Sequence, residues 1–125
     1  MALKSHKELV AWQKAISLVE AVYGLSRGFP KEEMYGLSAQ LRRAAVSVPS
    51  NIAEGQGRKS TKEFLHHLSI AYGSLMETET QLLISERLGY AQTSQVTEIL
   101  EQLAEVGRLI NGLSNSLSDR ITSNL

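Results

Sequence analysis

Val96-Thr97-Glu98-Ile99-Leu100-Glu101-Gln102-Leu103-Ala104-Glu105-Val106-Gly107-Arg108-Leu109-Ile110-Asn111-Gly112-Leu113-Ser114-Asn115-Ser116-Leu117 is the stretch on which the fold turns. Within it Val96, Ile99, Leu103, Val106, Ile110, Leu113 and Leu117 are separated by three and four in strict alternation. That spacing lays apolar side chains along one seam of a helix packed against other helices, whereas a strand would alternate by two. The helix opens at Thr93 or Ser94, either of which can cap its free amides. Gly107 lies beside the seam and permits close contact with a neighbour.

Three further helices precede this one. Ser60-Thr61-Lys62-Glu63 is a capping box, in which the serine and glutamate side chains serve each other's free amides at a helix start. Behind it Phe64, Leu68, Ala71, Leu75 and Leu82 form one apolar stripe, and Leu65, Tyr72, Met76 and Leu83 form a second beside it, up to Leu88-Gly89. Leu37, Leu41, Ala44, Ala45, Val48 and Ile52 form the stripe of the preceding helix, which ends at Gly55-Gln56-Gly57 with glycine available for a left-handed C-cap. Pro49 removes one backbone bond inside that helix. Because Ile52 continues the stripe, the reading is a kinked but continuous helix, with Ser47, Ser50 and Asn51 near enough to serve freed carbonyls. In the first helix Leu9, Trp12, Ile16, Val19 and Tyr23 step by three and four until Gly28-Phe29-Pro30 stops it.

The junctions near residues 28–31, 55–59 and 89–92 are short, so consecutive helices lie antiparallel as neighbours. The expected fold is all-α, an antiparallel up-down-up-down four-helix bundle kinked at Pro49 in helix two. It is a single domain over residues 1–113. The Ser- and Asn-rich residues 114–125 read as a frayed or disordered tail.

Composition narrows the function. Cysteine is absent, which excludes disulfides and thiolate metal sites. The chain starts without the apolar run of a signal peptide and has no stretch approaching the roughly 18 apolar residues of a membrane span, so the cytoplasm is expected and no membrane partner. Formal net charge is zero, which argues against an obligate nucleic-acid binder. The average hides a division. Up to Lys62 there are ten Lys or Arg against five acids, a charge of +5, and the remainder has three Arg against eight acids, a charge of −5.

Candidate chemistry is sparse. Glu63-Phe64-Leu65-His66 has the Glu-x-x-His spacing of di-iron bundles, yet no second pair accompanies it, and Glu63 is already the capping-box partner; no metal and no cofactor are expected. Gly55-Gln56-Gly57-Arg58-Lys59-Ser60-Thr61 has the glycines, base and hydroxyl of a phosphate loop, but lacks its adjoining Gly-Lys pair and a preceding strand. What survives is a basic helix start that suits an anion. Arg42, Arg43, Arg58, Lys59 and Lys62 are therefore the candidate nucleic-acid-binding residues, with capped turns and intramolecular salt bridges as the alternative. Ile70 and Ile84 sit roughly opposite the Phe64 to Leu82 stripe and are the candidate oligomer contacts. His66 and His67 read as helix-surface residues. No Ser-His-Asp set or carboxylate pair suggests catalysis, so the chain is read as a non-enzyme.

Three stretches carry a family resemblance: Glu8-Leu9-Val10-Ala11-Trp12-Gln13-Lys14-Ala15, then residues 41–55 from Leu41-Arg42-Arg43 through Val48-Pro49-Ser50-Asn51-Ile52-Ala53-Glu54-Gly55, and residues 62–90. Over residues 6–113 the chain resembles the four-helix bundle family named for 23S rRNA intervening sequences. The resemblance implies an up-down bundle that assembles as a homopentamer, with no settled molecular activity. The architecture is also similar to that of accessory proteins of diversity-generating retroelements, which are pentameric and basic and associate with a reverse transcriptase and nucleic acid. This chain departs from them in being neutral. The expected function is an oligomeric interaction or scaffold protein, its first partner being itself; the alternative is an accessory protein that binds RNA, or a nucleic-acid-handling protein, through the basic surface.

Overall fold

A computed structural model describes the backbone of residues 5–123 and the side chains of residues 5–121. The reading of the extreme N-terminus falls on residues 1–4, and the end of the expected tail on residues 124–125, which lie outside the described residues. Four helices account for the fold: α1 Val10–Ser26, α2 Leu37–Gln56, α3 Thr61–Arg87 and α4 Thr93–Ser123. Short 3-10 turns at His6–Glu8 and Lys31–Glu33 precede α1 and α2. Each helix packs against the next, and α4 returns to α1, while among the described residues no diagonal pair approaches as closely.

Named pairs locate where each helix meets its neighbours. Ser26 at the end of α1 meets Arg42 near the start of α2. On α2 and α3, Asn51 faces His67 and Ser47 faces Ser74. Gly107 of α4 lies against Tyr72 and Leu75, and Lys14 of α1 reaches Glu105 at 3.3 Å. These contacts, with the short junctions between helices, are consistent with neighbours that run antiparallel around the ring.

Two helix starts follow the sequence reading. Ser60 caps α3, its hydroxyl accepting from the Glu63 amide at 3.1 Å; the return bond from the Glu63 carboxylate is not made among the described residues. α4 starts at Thr93. α2 runs unbroken through a buried Pro49. The Asn51 amide donates to the Ser47 carbonyl at 2.9 Å and to its hydroxyl at 3.0 Å, and so does not go to the Ala45 carbonyl that proline deprives of its donor.

Several expectations are corrected. The inward line of α1 is Ala11, Ala15, Leu18 and Val22, while Leu9, Trp12, Ile16, Val19 and Tyr23 flank it and are half-buried. Both lines are apolar at helical spacing; packing selects the one with two alanines because it lets α2 and α4 approach closely. Leu83 is exposed. Polar residues stand in the α3 core instead: Thr78 and Ser85 are fully buried, with hydroxyls donating to the Ser74 and Gln81 carbonyls one turn back at 2.8 Å. Gly57 ends α2 in a right-handed conformation, and among the described residues only Gly89 has a positive φ. Finally, residues 114–123 of the stretch 114–125 read as a frayed or disordered tail are helical. α4 extends to Ser123 because Leu117 prolongs the seam and is buried, outweighing the low helix propensity of the surrounding Ser and Asn.

Glu33 fastens one end of the bundle. Its carboxylate accepts from the Leu37 amide at 3.1 Å, serving the start of α2, and from the Tyr90 hydroxyl at 2.9 Å across the α3–α4 junction. The Leu37 bond first, and the Tyr90 bond second, hold the carboxyl below its ordinary value of 4.5, and the Glu33 bond raises the Tyr90 phenol. A lowered carboxyl stabilises the fold above its unfolded value and loses that contribution as pH falls through the folded one. Urea midpoints at pH 7 and pH 3 are therefore expected to differ less in Glu33→Gln than in the wild type. Equal losses in the two proteins would show that Glu33 does not contribute to the acid limb.

Candidate functional site

Arg42 and Arg58, two of the five candidate phosphate-binding residues, have partners within the chain. Arg42 is half-buried; its Nε donates to Ser26 Oγ at 2.8 Å, and its guanidinium lies 4.7 Å from the centroid of the Tyr23 ring. Arg58 pairs with Glu54 one turn back at 3.0 Å. Arg43, Lys59 and Lys62 are exposed and form no ion pair among the described residues. Lys59 and Lys62 flank the start of α3. Arg43 is separated from that point by most of α2, about 20 Å at 1.5 Å per residue. The structure thus keeps Arg58, Lys59 and Lys62 together at the start of α3, with Arg58 paired to Glu54, and keeps Arg43 apart.

Between α2 and α3 lies a polar seam that the sequence reading missed. Ser47, Asn51 and Glu54 recur at four and three along one face of α2, and Arg58 follows four residues on, just past its end. Ser74 donates to Ser47 Oγ at 2.8 Å, and His67 Nδ1 lies 3.1 Å from Asn51 Oδ1 and 3.8 Å from Glu54. Since the Asn51 amide nitrogen donates to Ser47, its oxygen faces the imidazole, and Nδ1 is the nitrogen that carries a proton. His67 is thus an interhelical residue with a side chain only 13% exposed, which corrects its surface assignment, while His66 is exposed. The seam is closed tightly at Gly55, where a β-carbon would stand 2.8 Å from His67 Cβ and 2.9 Å from Phe64 Cδ1. Its groups bond one another, which makes it an internal fastener. The recurrence of Ser47, Asn51 and Glu54 at four and three on α2 was the available signal.

No group of three or more His, Cys, Asp or Glu among the described residues could hold a metal ion, and Glu63 and His66 are both exposed. Likewise no described helix is long and apolar enough to cross a membrane.

Apolar side chains remain on the outer surface. Ile70 and Ile84 are 40% and 42% exposed on α3, with Leu88 at 55% on the same side of the helix. On the far side of the ring the half-buried Trp12, Ile16, Val19 and Tyr23 run along α1, and Arg42 lying over Tyr23 places this stripe at the seam with α2. Val46 of α2 is exposed one turn beyond Arg42.

A family model described as 23S rRNA-intervening sequence protein matches residues 7–112. The chain belongs to that family. The match to the 23S rRNA-intervening sequence family spans the four-helix ring and ends before the last turns of α4. A solved structure, described as a protein of unknown function from the S23 ribosomal protein family of Bacteroides thetaiotaomicron, is similar with a TM-score of 0.78. It is 24% identical, and the alignment covers 84% of this chain and 98% of that one. At this identity the likeness shows the shared fold. No curated protein matches the chain.

Proposed function

We propose that this member of the 23S rRNA-intervening sequence family is a non-enzymatic, self-associating interaction protein. The observation that carries the reading is the apolar surface left outside a completed core. Ile70 and Ile84 on α3, Leu88 at its C-cap, and the half-buried Trp12 to Tyr23 stripe on α1 retain exposed surface although the bundle already buries a full line from each helix. Fully burying an exposed large aliphatic or aromatic side chain is worth about 1.5–3 kcal/mol, and the surface these residues still expose contributes a part of that toward association. RNA binding through Arg42, Arg43, Arg58, Lys59 and Lys62 has less support, because Arg42 and Arg58 have partners within the chain and Arg43 stands apart.

Light scattering on a sizing column is the test. The expected result is one species at a multiple of the 13.8 kDa chain mass, fivefold for the homopentamer that the family resemblance implies. A 13.8 kDa species that persists as concentration is raised overturns the proposal.

A further inference from the structure

The geometry points to a head-to-tail contact between copies, in which the outer line of α3 on one copy seats against the α1–α2 seam of the next and Glu77 of the first faces Arg43 of the second. This arrangement rests on the self-association proposed above. Its starting point is how the ring order distributes charge. α1 and α2 are adjacent and form one side of the bundle, and α3 and α4 form the other. On the helices themselves, α1 and α2 carry Lys14, Arg42 and Arg43 against Glu20 and Glu54, a charge of +1, and α3 and α4 carry four Lys or Arg against eight acids, a charge of −4, so the two sides differ in sign. A two-fold contact centred on the outer line of α3 would set Glu77 near the same residue of the other copy, acid against acid. A head-to-tail contact sets the acidic side of one copy against the basic side of the next.

Each side also has the surface for it. Ile70, Glu77 and Ile84 are seven residues apart, so they lie nearly in line on α3. Gly73 stands between the first two with open space above it, letting another backbone come close. Opposite, the α1 stripe and the exposed Val46 offer an apolar seam, and Arg43 stands one turn before Val46 on α2. Glu77 and Arg43 are both exposed, and neither is in an ion pair among the described residues. They are thus available to each other across the contact. Every copy then uses both faces, and the assembly closes when the rotation between copies completes a circle.

Charge exchange tests the pairing. Arg43→Glu places two carboxylates across the contact, and Glu77→Arg places two guanidinium groups there. Each is expected to weaken association about tenfold or more at low salt. The double variant carries both changes and restores an opposite pair at every contact, so its mass by light scattering is expected to return to that of the wild type. Thermal unfolding by circular dichroism at fixed protein concentration reports whether each variant is folded. An oligomeric wild type whose mass is unchanged in both single variants, or whose loss is not reversed in the double variant, overturns this arrangement and leaves self-association standing. A monomeric wild type overturns self-association itself.

Discussion

Leu75→Ala is expected to lower the free energy of unfolding by about 3 kcal/mol, within the range of about 2–5 seen for a leucine truncated in a packed core. Leu75 is fully buried midway along α3. Its Cδ2 lies 3.3 Å from where a β-carbon on Gly107 would stand, so α3 and α4 approach each other closely at this point. Truncation loses the transfer free energy of the side chain and leaves a void that two helices tied at several other points cannot close. Against a typical total of about 5–15 kcal/mol the loss is a large fraction. Equilibrium urea unfolding at one fixed protein concentration measures it, because self-association adds to apparent stability by mass action. A second substitution isolates the contact. Gly107→Ala presses on Leu75 in the wild type, whereas in Leu75→Ala the added methyl enters the vacated space and its helix propensity, worth about 1 kcal/mol, is recovered. The double variant is expected to be more stable than the sum of the single effects. A loss below 1 kcal/mol for Leu75→Ala, or strict additivity, would contradict this packing.

Gly55→Ala is expected to destabilise the protein by about 2 kcal/mol, against the ordinary direction for a glycine inside a helix. An alanine there should gain about 1 kcal/mol in propensity. The methyl would stand 2.8 Å from His67 Cβ, 2.9 Å from Phe64 Cδ1 and 3.3 Å from the Phe64 carbonyl oxygen. His67 Cβ and the Phe64 carbonyl are fixed to the α3 backbone, so relief requires α2 and α3 to separate. Overpacking of this kind costs about 1–3 kcal/mol, and separation also strains the bonds among Ser47, Asn51, His67 and Ser74. Gly24→Ala in α1, where an added methyl meets nothing within 4 Å, is the matched control and is expected to stabilise. If Gly55→Ala stabilises as Gly24→Ala does, the close approach of α2 to α3 is not rigid.

These two positions show where sequence reading reached and where it stopped. The α4 seam from Val96 through Ile110 and the Leu41 to Ile52 line of α2 are buried as their spacing requires, because each helix has one apolar line and no choice of face. On α1 two apolar lines compete, and spacing alone does not say that small alanines go inside. Gly55 read as a terminator because glycine near a helix end commonly is one; its role in admitting α3 depends on His67 and Phe64, which are remote in sequence. Arg42 read as a free cation because its partners Tyr23 and Ser26 belong to another helix.

Periodicity, short junctions and the Ser60 cap by themselves determined an all-α chain of four helices, since they depend on local geometry and on the burial of a single stripe. Family membership was likewise legible in the stretches around Trp12 and Pro49. Only the tertiary structure decided which α1 line faces inward, that α2 and α3 are joined by a polar seam, that Arg42 is occupied, and that apolar surface remains on two opposite sides. Those features arise from pairs of residues far apart in the chain, whose distances are set by how closely small side chains allow the helices to pack.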